Sequence, residues 1–310
     1  MTTPAYLQLL ESGELAERVD TARQRLASCD ICARACGADR LHGETGSCRT
    51  GRHAVVYGFH AHFGEEPPLV GRNGSGTIFI SSCNLHCCFC QNWEISARGE
   101  GGEVSARELA QMMLALQAQG CHNINFVSPS HVVPQILEAL LLAAEAGLRL
   151  PLVYNTGGYD SLETLALLDG VIDIYMPDMK YSDEEVGLRF SGVPNYPEVN
   201  RAAVKEMHRQ AGDLVLNESG IATRGLLVRH LVLPEGLAGT GETVRFLAEE
   251  VSKNTYLNIM DQYRPCHEAC CLAPINRRIT PREYAEAVRL AHEAGLTRLD
   301  DRQPHWAFLQ

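Results

Sequence analysis

Residues 83–90 read Cys-Asn-Leu-His-Cys-Cys-Phe-Cys, four thiols in eight positions, just after the strand-like run Gly-Thr-Ile-Phe-Ile-Ser at 76–81. Cys83, Cys87 and Cys90 form C-x3-C-x2-C, and the aromatic Phe89 precedes the last of them. Three thiolates this close can hold three irons of one [4Fe–4S] cluster. The fourth iron then lacks a protein ligand, and an open position is how a metal site takes a substrate rather than merely bracing a fold. A zinc loop is the other use of such thiols. Cys88 could also stand in for Cys87, at an unfamiliar spacing.

A second set, Cys29-x2-Cys32-x3-Cys36-x11-Cys48, supplies four ligands with Gly37, Gly43 and Gly46 permitting tight turns. Four closed ligands mean a structural zinc or a second iron–sulfur cluster. Cys266, Cys270 and Cys271 follow with His267; Cys266, in Tyr-Arg-Pro-Cys, is the candidate catalytic hydrogen-atom donor, against several of these ligating a further metal or plain loop thiols. Cys121 stands alone and opens a strand, which suits core packing. Residues 23–53 carry six arginines against three acids. That excess offsets thiolate charge, or docks an acidic electron donor such as flavodoxin or ferredoxin, since opposite charge steers encounter. His60, His62, Glu65 and Glu66, ending at Pro67-Pro68, form a polar run that either lines the cavity or, as the simpler expectation, is a solvated connection between domains.

Twelve cysteines, eleven of them in these clusters, indicate metal ligands, not a disulfide framework. Residues 1–20 carry four acids and no apolar core of a leader, so the expectation is a cytoplasmic metalloprotein. A net charge of −11 argues against a general nucleic-acid or anionic-membrane binder, which needs a basic surface. The most apolar stretch, 136–153, is broken by Glu138, Glu145, Arg149 and Pro151 and cannot span a bilayer.

The elements that must position these residues alternate from Gly76 onward. Apolar runs at 77–81, 123–128, 151–155, 172–177, 227–233 and 255–261 predict strands. Amphipathic runs at 105–119, 132–146, 161–168, 196–210, 241–253 and 281–293 predict helices. Ser105 with Glu108 is a capping-box pattern, and Thr280 precedes Pro281 as a plausible cap. Short continuous apolar strands between helices imply a parallel sheet covered by helices. Six βα units are too few for a complete eight-fold barrel, and a doubly wound open sheet fits the periodicity equally. The expected division is a Cys-rich metal-binding segment at 1–75 and a barrel with its extension at 76–310. Polar clusters follow the strands: Ser128-Pro129-Ser130-His131, Asn155-Thr156-Gly157-Gly158 and Asp178-Met179-Lys180, with Arg229-His230 inside the fifth strand.

The C-x3-C-x2-C loop with its aromatic resembles the signature of the radical S-adenosylmethionine (SAM) superfamily. Gly74-Ser75-Gly76-Thr77, Cys90-Gln91-Asn92, His122-Asn123-Ile124-Asn125-Phe126 and the run 258–265 make the whole chain similar to the PflX-like relatives of pyruvate formate-lyase activating enzyme. The resemblance implies an α/β fold, a partial (β/α)6 TIM-like barrel. It implies a [4Fe–4S] cluster on Cys83, Cys87 and Cys90, with SAM chelated by the open iron and Phe89 near its adenine. Ser128, Ser130, Asn155, Thr156, Asp178, Lys180 and Arg229 would bind the cofactor, Lys180 or Arg229 neutralising the SAM carboxylate. The implied activity is reductive cleavage of SAM and abstraction of a substrate hydrogen, from a glycine of a partner enzyme or from another protein, peptide or small molecule. Non-catalytic electron transfer or a zinc module is the reading outside catalysis. His86 and Asn84 could tune the cluster through hydrogen bonds. One departure stands out: the Gly-Gly-Glu element that receives the SAM amine in activating enzymes is replaced by Val127-Ser128-Pro129-Ser130-His131, which carries no acid.

Overall fold

Six short strands run parallel side by side: β2 (Ser75–Ile80), β4 (Ile124–Val127), β5 (Leu152–Thr156), β6 (Ile174–Pro177), β8 (Ala222–Leu231) and β9 (Tyr256–Met260). The computed structural model of the chain describes residues 3–300; the outermost positions of both expected segments, 1–2 and 301–310, lie outside them. Every residue of β5 and β6 is buried, as parallel strands covered on both faces require. Two strands add antiparallel pairing at one edge: β1 (Ala54–His62) pairs β2, and β3 (Gly102–Val104) pairs β1. The short β7 (Val215–Leu216) pairs β8 at the other. The order is β3-β1-β2-β4-β5-β6-β8-β7, with β9 beside β8. No described pairing joins β9 to β2, so the sheet is an open, partial barrel of the (β/α)6 kind.

Most of the predicted helices form where the periodicity places them, with caps made as the side chains predict, while Tyr6–Ser12, Glu14–Gln24 and Glu184–Ser191 form where none was predicted. Ser105 Oγ accepts the Glu108 N–H at 3.2 Å while Glu108 returns a bond to the Ser105 N–H, opening Ala106–Ala118. Thr280 and Glu283 do the same for Pro281–Glu293. Each reciprocal pair satisfies two backbone donors left over at a helix start. The run expected at 241–253 instead divides into Thr240–Phe246 and a wider turn at Leu247–Val251.

Residues ahead of β2 pack onto the barrel. The helices Tyr6–Ser12 and Glu14–Gln24 bury Tyr6, Leu15 and Ala22, and the Tyr6 hydroxyl donates to Leu150 O at 3.1 Å. No described helix is long and apolar enough to cross a membrane.

The segment 60–66 is not a solvated connection. His60 and His62 lie on β1, where the His60 ring stacks on Phe79 at 5.1 Å. Glu65 and Glu66 are 8% and 1% exposed. Glu65 Oε2 is 3.0 Å from Arg229 Nη1 of β8, and Glu65 Oε1 accepts from Asn125 Nδ2 of β4 at 3.0 Å. Glu66 Oε1 accepts from Asn258 Nδ2 of β9 at 2.6 Å. Two carboxylates thus lace strands on both sides of the opening, because buried charges hold only where opposite charge or donors meet them.

Candidate functional site

Chain segments that leave the C-terminal ends of the parallel strands converge on one cavity of about 320 Å³. Cys83, Cys87, Cys90, Phe89, Ser128, Asn155, Thr156, Asp178, Lys180 and Arg229 all line it. The sequence-predicted residues are therefore neighbours in space, with two exceptions. Ser130 lies beneath the wall at 2% exposure, its hydroxyl 2.8 Å from Thr156 Oγ1. Thr156 in turn donates to Asp160 Oδ2 at 2.7 Å, so Ser130 belongs to a buried network supporting the wall. Cys266 does not line the cavity either; from its segment Met260 and Gln262 do. The chain turns away there as His267 stacks on Trp93 at 5.3 Å. Cys270 and Cys271 are exposed.

Local backbone explains the convergence. Ser82 and Ser128, at the ends of β2 and β4, hold φ of 67° and 60°, values L-residues rarely adopt. Such turns cost of order 1–3 kcal/mol and gather at functional sites. Gly157 and Gly158 are needed for contact. A Cβ on Gly157 would lie 2.6 Å from Leu85 of the cysteine loop, and one on Gly158 would lie 2.4 Å from Asp178 O.

The three loop sulfurs each meet a polar neighbour. Cys83 Sγ accepts the Leu85 N–H at 3.4 Å, Cys90 Sγ accepts from Ser96 Oγ at 3.1 Å, and Cys87 Sγ is 2.9 Å from Ser191 Oγ. Burial, with neighbouring thiolates, pushes the Cys83 thiol up to about 12. Burial raises Cys87 as well, against the pull of Lys180. Bound cations reverse that preference, because a coordinated thiol is deprotonated. Cys88 faces away: it is 6% exposed, does not line the cavity, and its N–H bonds Phe190 O at 2.9 Å. Phe89 packs edge-on against Tyr263 at 5.7 Å with one side on the cavity. Of the two residues expected beside the sulfurs, Asn84 is there, its Oδ1 3.8 Å from Cys83 Sγ, while His86 is used otherwise. Asn84 Nδ2 donates to Tyr159 O at 2.7 Å and His86 Nε2 lies 3.1 Å from Ser47 O.

The charged wall is a network. Lys180 Nζ donates to Asp178 Oδ2 at 2.6 Å. Arg229 donates through Nε to Asp178 Oδ1 at 3.3 Å, through Nη1 to Glu65 Oε2 and through Nη2 to Asn155 Oδ1 at 2.7 Å. Burial alone would raise the Asp178 carboxyl, but Lys180 and Arg229 hold it below the usual carboxylate range. Glu65 goes the other way: burial outweighs Arg229 and raises it. Sequence reasoning assigned Asp178, Lys180 and Arg229 to this wall and held cavity lining by Glu65 only as the second choice to a solvated connection. The only signal for it was an acidic pair beside two prolines.

Cys29, Cys32, Cys36 and Cys48 line a separate small cavity with Arg40 and His131. Among the described residues no three His, Cys, Asp or Glu side chains meet as ligands of a single bound ion would. Both cysteine sets wall cavities instead. The arginine excess around the quartet is engaged by the fold. Arg25 pairs Asp30, Arg52 pairs Glu138, Arg40 is buried, and Arg34 and Arg49 bond backbone carbonyls.

The Radical SAM superfamily profile matches residues 77–221. The chain is 30% identical over 302 residues to an uncharacterized protein of Methanocaldococcus jannaschii, covering 95% of this chain and 83% of that one. Among solved structures it is similar to SuiB of Streptococcus suis bound to S-adenosylmethionine, with a TM-score of 0.47, 15% identity, and coverage of 71% of this chain and 47% of that one. It is also similar to a radical SAM methyltransferase from Sphaerobacter thermophilus, with a TM-score of 0.46, 14% identity, and coverage of 71% and 64%. The chain spans less than two thirds of either solved chain. It belongs to the radical SAM superfamily. Its cofactors are accordingly a [4Fe–4S] cluster and SAM, and three cysteines with polar neighbours on the wall of one cavity fit that pair.

Proposed function

We propose that Cys83, Cys87 and Cys90 hold three irons of the cluster, that SAM occupies the adjoining cavity, and that the chain takes a hydrogen atom from a protein or peptide segment presented at the cavity mouth, as an activating enzyme of glycyl-radical type does. The observation that carries this reading is the sharing of one cavity by the three cysteines, Phe89 and the Asp178–Lys180 pair. When bound, the cluster supplies the electron that cleaves SAM to methionine and a 5′-deoxyadenosyl radical.

The chain's own residues divide the remaining work. Arg229 commits three of its five donors to Asp178, Glu65 and Asn155, and its charge already faces three carboxylates, Asp178, Glu65 and Glu66. Lys180 carries three donors and has one bond, to Asp178. Lys180 is therefore the cation with capacity to receive the SAM carboxylate, and Arg229 holds the wall in shape. Asp178 keeps the Lys180 ammonium charged by pairing with it. Ser128 stands where activating enzymes place their acid and presents a hydroxyl to an amine; Ser130 bears up Thr156 from below. Phe89 gives the adenine an apolar face.

The size of the cavity supports a segment from outside as substrate. About 320 Å³ is at the small end of ligand pockets, which run from about 300 to 1,000 Å³. With SAM in place little room remains for a second enclosed molecule. An acidic electron donor such as flavodoxin or ferredoxin would supply the reducing electron.

Anaerobic reconstitution tests the reading. Reduced wild-type protein with SAM is expected to release 5′-deoxyadenosine and methionine, and Cys87→Ala to release neither. Glycine-deuterated peptides or candidate partner proteins would pass deuterium into 5′-deoxyadenosine. Absence of cleavage by fully iron-loaded protein overturns the reading.

A further inference from the structure

The loop from Cys29 to Cys48 is folded so that all four cysteines border one small cavity. The Cys29 N–H bonds Ala38 O at 3.0 Å and the Gly37 N–H bonds Cys29 O at 2.9 Å, closing the chain into a tight return. Cys29, Cys32 and Cys48 are 4%, 7% and 6% exposed, and all the cysteines are free thiols. They wall a cavity of about 10 Å³, space for little more than one small ion or water.

The guanidinium of Arg40 closes the same cavity and is fully buried. Its bonds run from Nε to Gly51 O at 3.0 Å, from Nη1 to His131 O at 2.8 Å, and from Nη1 to Cys29 Sγ at 3.6 Å. Nη2 has no partner. His131 Nδ1 is also buried without a partner; its Nε2 lies against Ser81 O, which can only accept, so Nε2 carries the proton and Nδ1 a lone pair. A buried cation needs a counter-charge. Among its hydrogen-bond partners only the Cys29 sulfur can carry one.

We infer that Cys29, Cys32, Cys36 and Cys48 hold a second, thiolate-bound metal centre whose negative charge Arg40 balances. Several thiolates packed together repel unless a thiophilic cation joins them, and the cation and thiolates together still leave the negative charge that a buried guanidinium requires. Cys36 is exposed and next to Gly37, where φ is 70°; it swings inward on binding. The centre is braced against the other cysteine loop at two points. Arg34 donates to Asn84 O, and Ser47 O meets His86 Nε2 at 3.1 Å, each joining a residue of one loop to a residue of the other.

The inference stands apart from the reaction proposed for the first loop and is tested by metal content. The full-length triple variant Cys83→Ala/Cys87→Ala/Cys90→Ala, isolated anaerobically, is expected to retain sulfur-ligated metal. One zinc per chain identifies a mononuclear site, and iron with equal acid-labile sulfide identifies a cluster; either supports the centre. Adding Cys32→Ser and Cys48→Ser removes that metal. Should the triple variant not fold, Cys32→Ser/Cys48→Ser in the wild-type background is expected to lose the second metal while keeping the iron absorbance of the first loop. Stoichiometric metal absent from folded triple variant, disulfides found within 29–48, or a metal content unchanged by Cys32→Ser/Cys48→Ser overturns it.

Discussion

Arg229 Nη1 stands 3.0 Å from Glu65 Oε2, a bond between the middle of a barrel strand and a segment 164 residues earlier. Glu65 is buried and the Arg229 side chain is only 18% exposed, at the cavity wall, so each depends on the other. Glu65→Ala leaves Arg229 with Asp178 at 3.3 Å and Glu66 at 3.8 Å as its remaining acids, and the expected loss of stability is about 3 kcal/mol, the lower end for breaking a buried pair. Urea unfolding of the full chain measures it. A loss below about 1 kcal/mol would show the pair to be incidental.

Lys180→Met is expected to weaken SAM binding at least about tenfold, since a charge-assisted bond contributes roughly 1.5–3 kcal/mol. Equilibrium titration of reconstituted protein with SAM checks this, and Lys180→Arg should recover part of the affinity. Unchanged binding in Lys180→Met would remove the carboxylate role from this residue and return it to Arg229.

The parallel sheet and most helices were legible because apolar runs of strand length alternate with amphipathic runs closed by their own caps, as at Ser105–Glu108. β1 was not, since its sequence mixes Val, Tyr, Gly and His with no clean alternation and its burial is set by β2 and β3. Glu65 and Glu66 looked solvated because acids beside prolines usually are; their burial comes from partners on β4, β8 and β9 that no local pattern reveals. Spacing also could not choose between Ser128 and Ser130. That choice depends on the positive φ at Ser128, which takes the chain out of strand alternation at the end of β4.

Among the four thiols of the first loop, the geometry separates ligands from packing. Cys83→Ala, Cys87→Ala and Cys90→Ala should each lose most of the iron bound there after reconstitution. Cys88→Ala should keep it, because Cys88 lies off the cavity and is buried in the hydrophobic core. Iron and sulfide analysis of the four variants distinguishes them. Iron loss from Cys88→Ala equal to that from Cys87→Ala would move the ligand set by one position.

His230 adjoins Arg229 in β8 but works inside the core. Nδ1 donates to Met179 O at 2.7 Å, so Nε2 accepts from Thr240 Oγ1 at 2.9 Å and the ring is neutral. Burial pushes its pKa down to about 4, against the upward pull of Met179 O and Asp178. A histidine depressed from about 6.5 contributes stability that is whole above pH 6.5 and lost as pH falls toward the folded value. Between pH 6.5 and 5 that loss is about 2 kcal/mol. Asp173 opposes it. Burial raises its carboxyl to about 6, so its protonation favours the folded chain as pH falls through 6. Glu65, also raised, acts in the same direction as Asp173, and His131, lowered by burial to about 3, acts with His230. The wild-type profile is therefore a sum of opposing shifts, and the difference between wild type and His230→Gln is the informative quantity. Gln can donate to Met179 O and accept from Thr240 without titrating. Its stability relative to wild type should rise by about 2 kcal/mol from pH 6.5 to 5, read from urea midpoints. An offset independent of pH would mean that His230 does not titrate in this window.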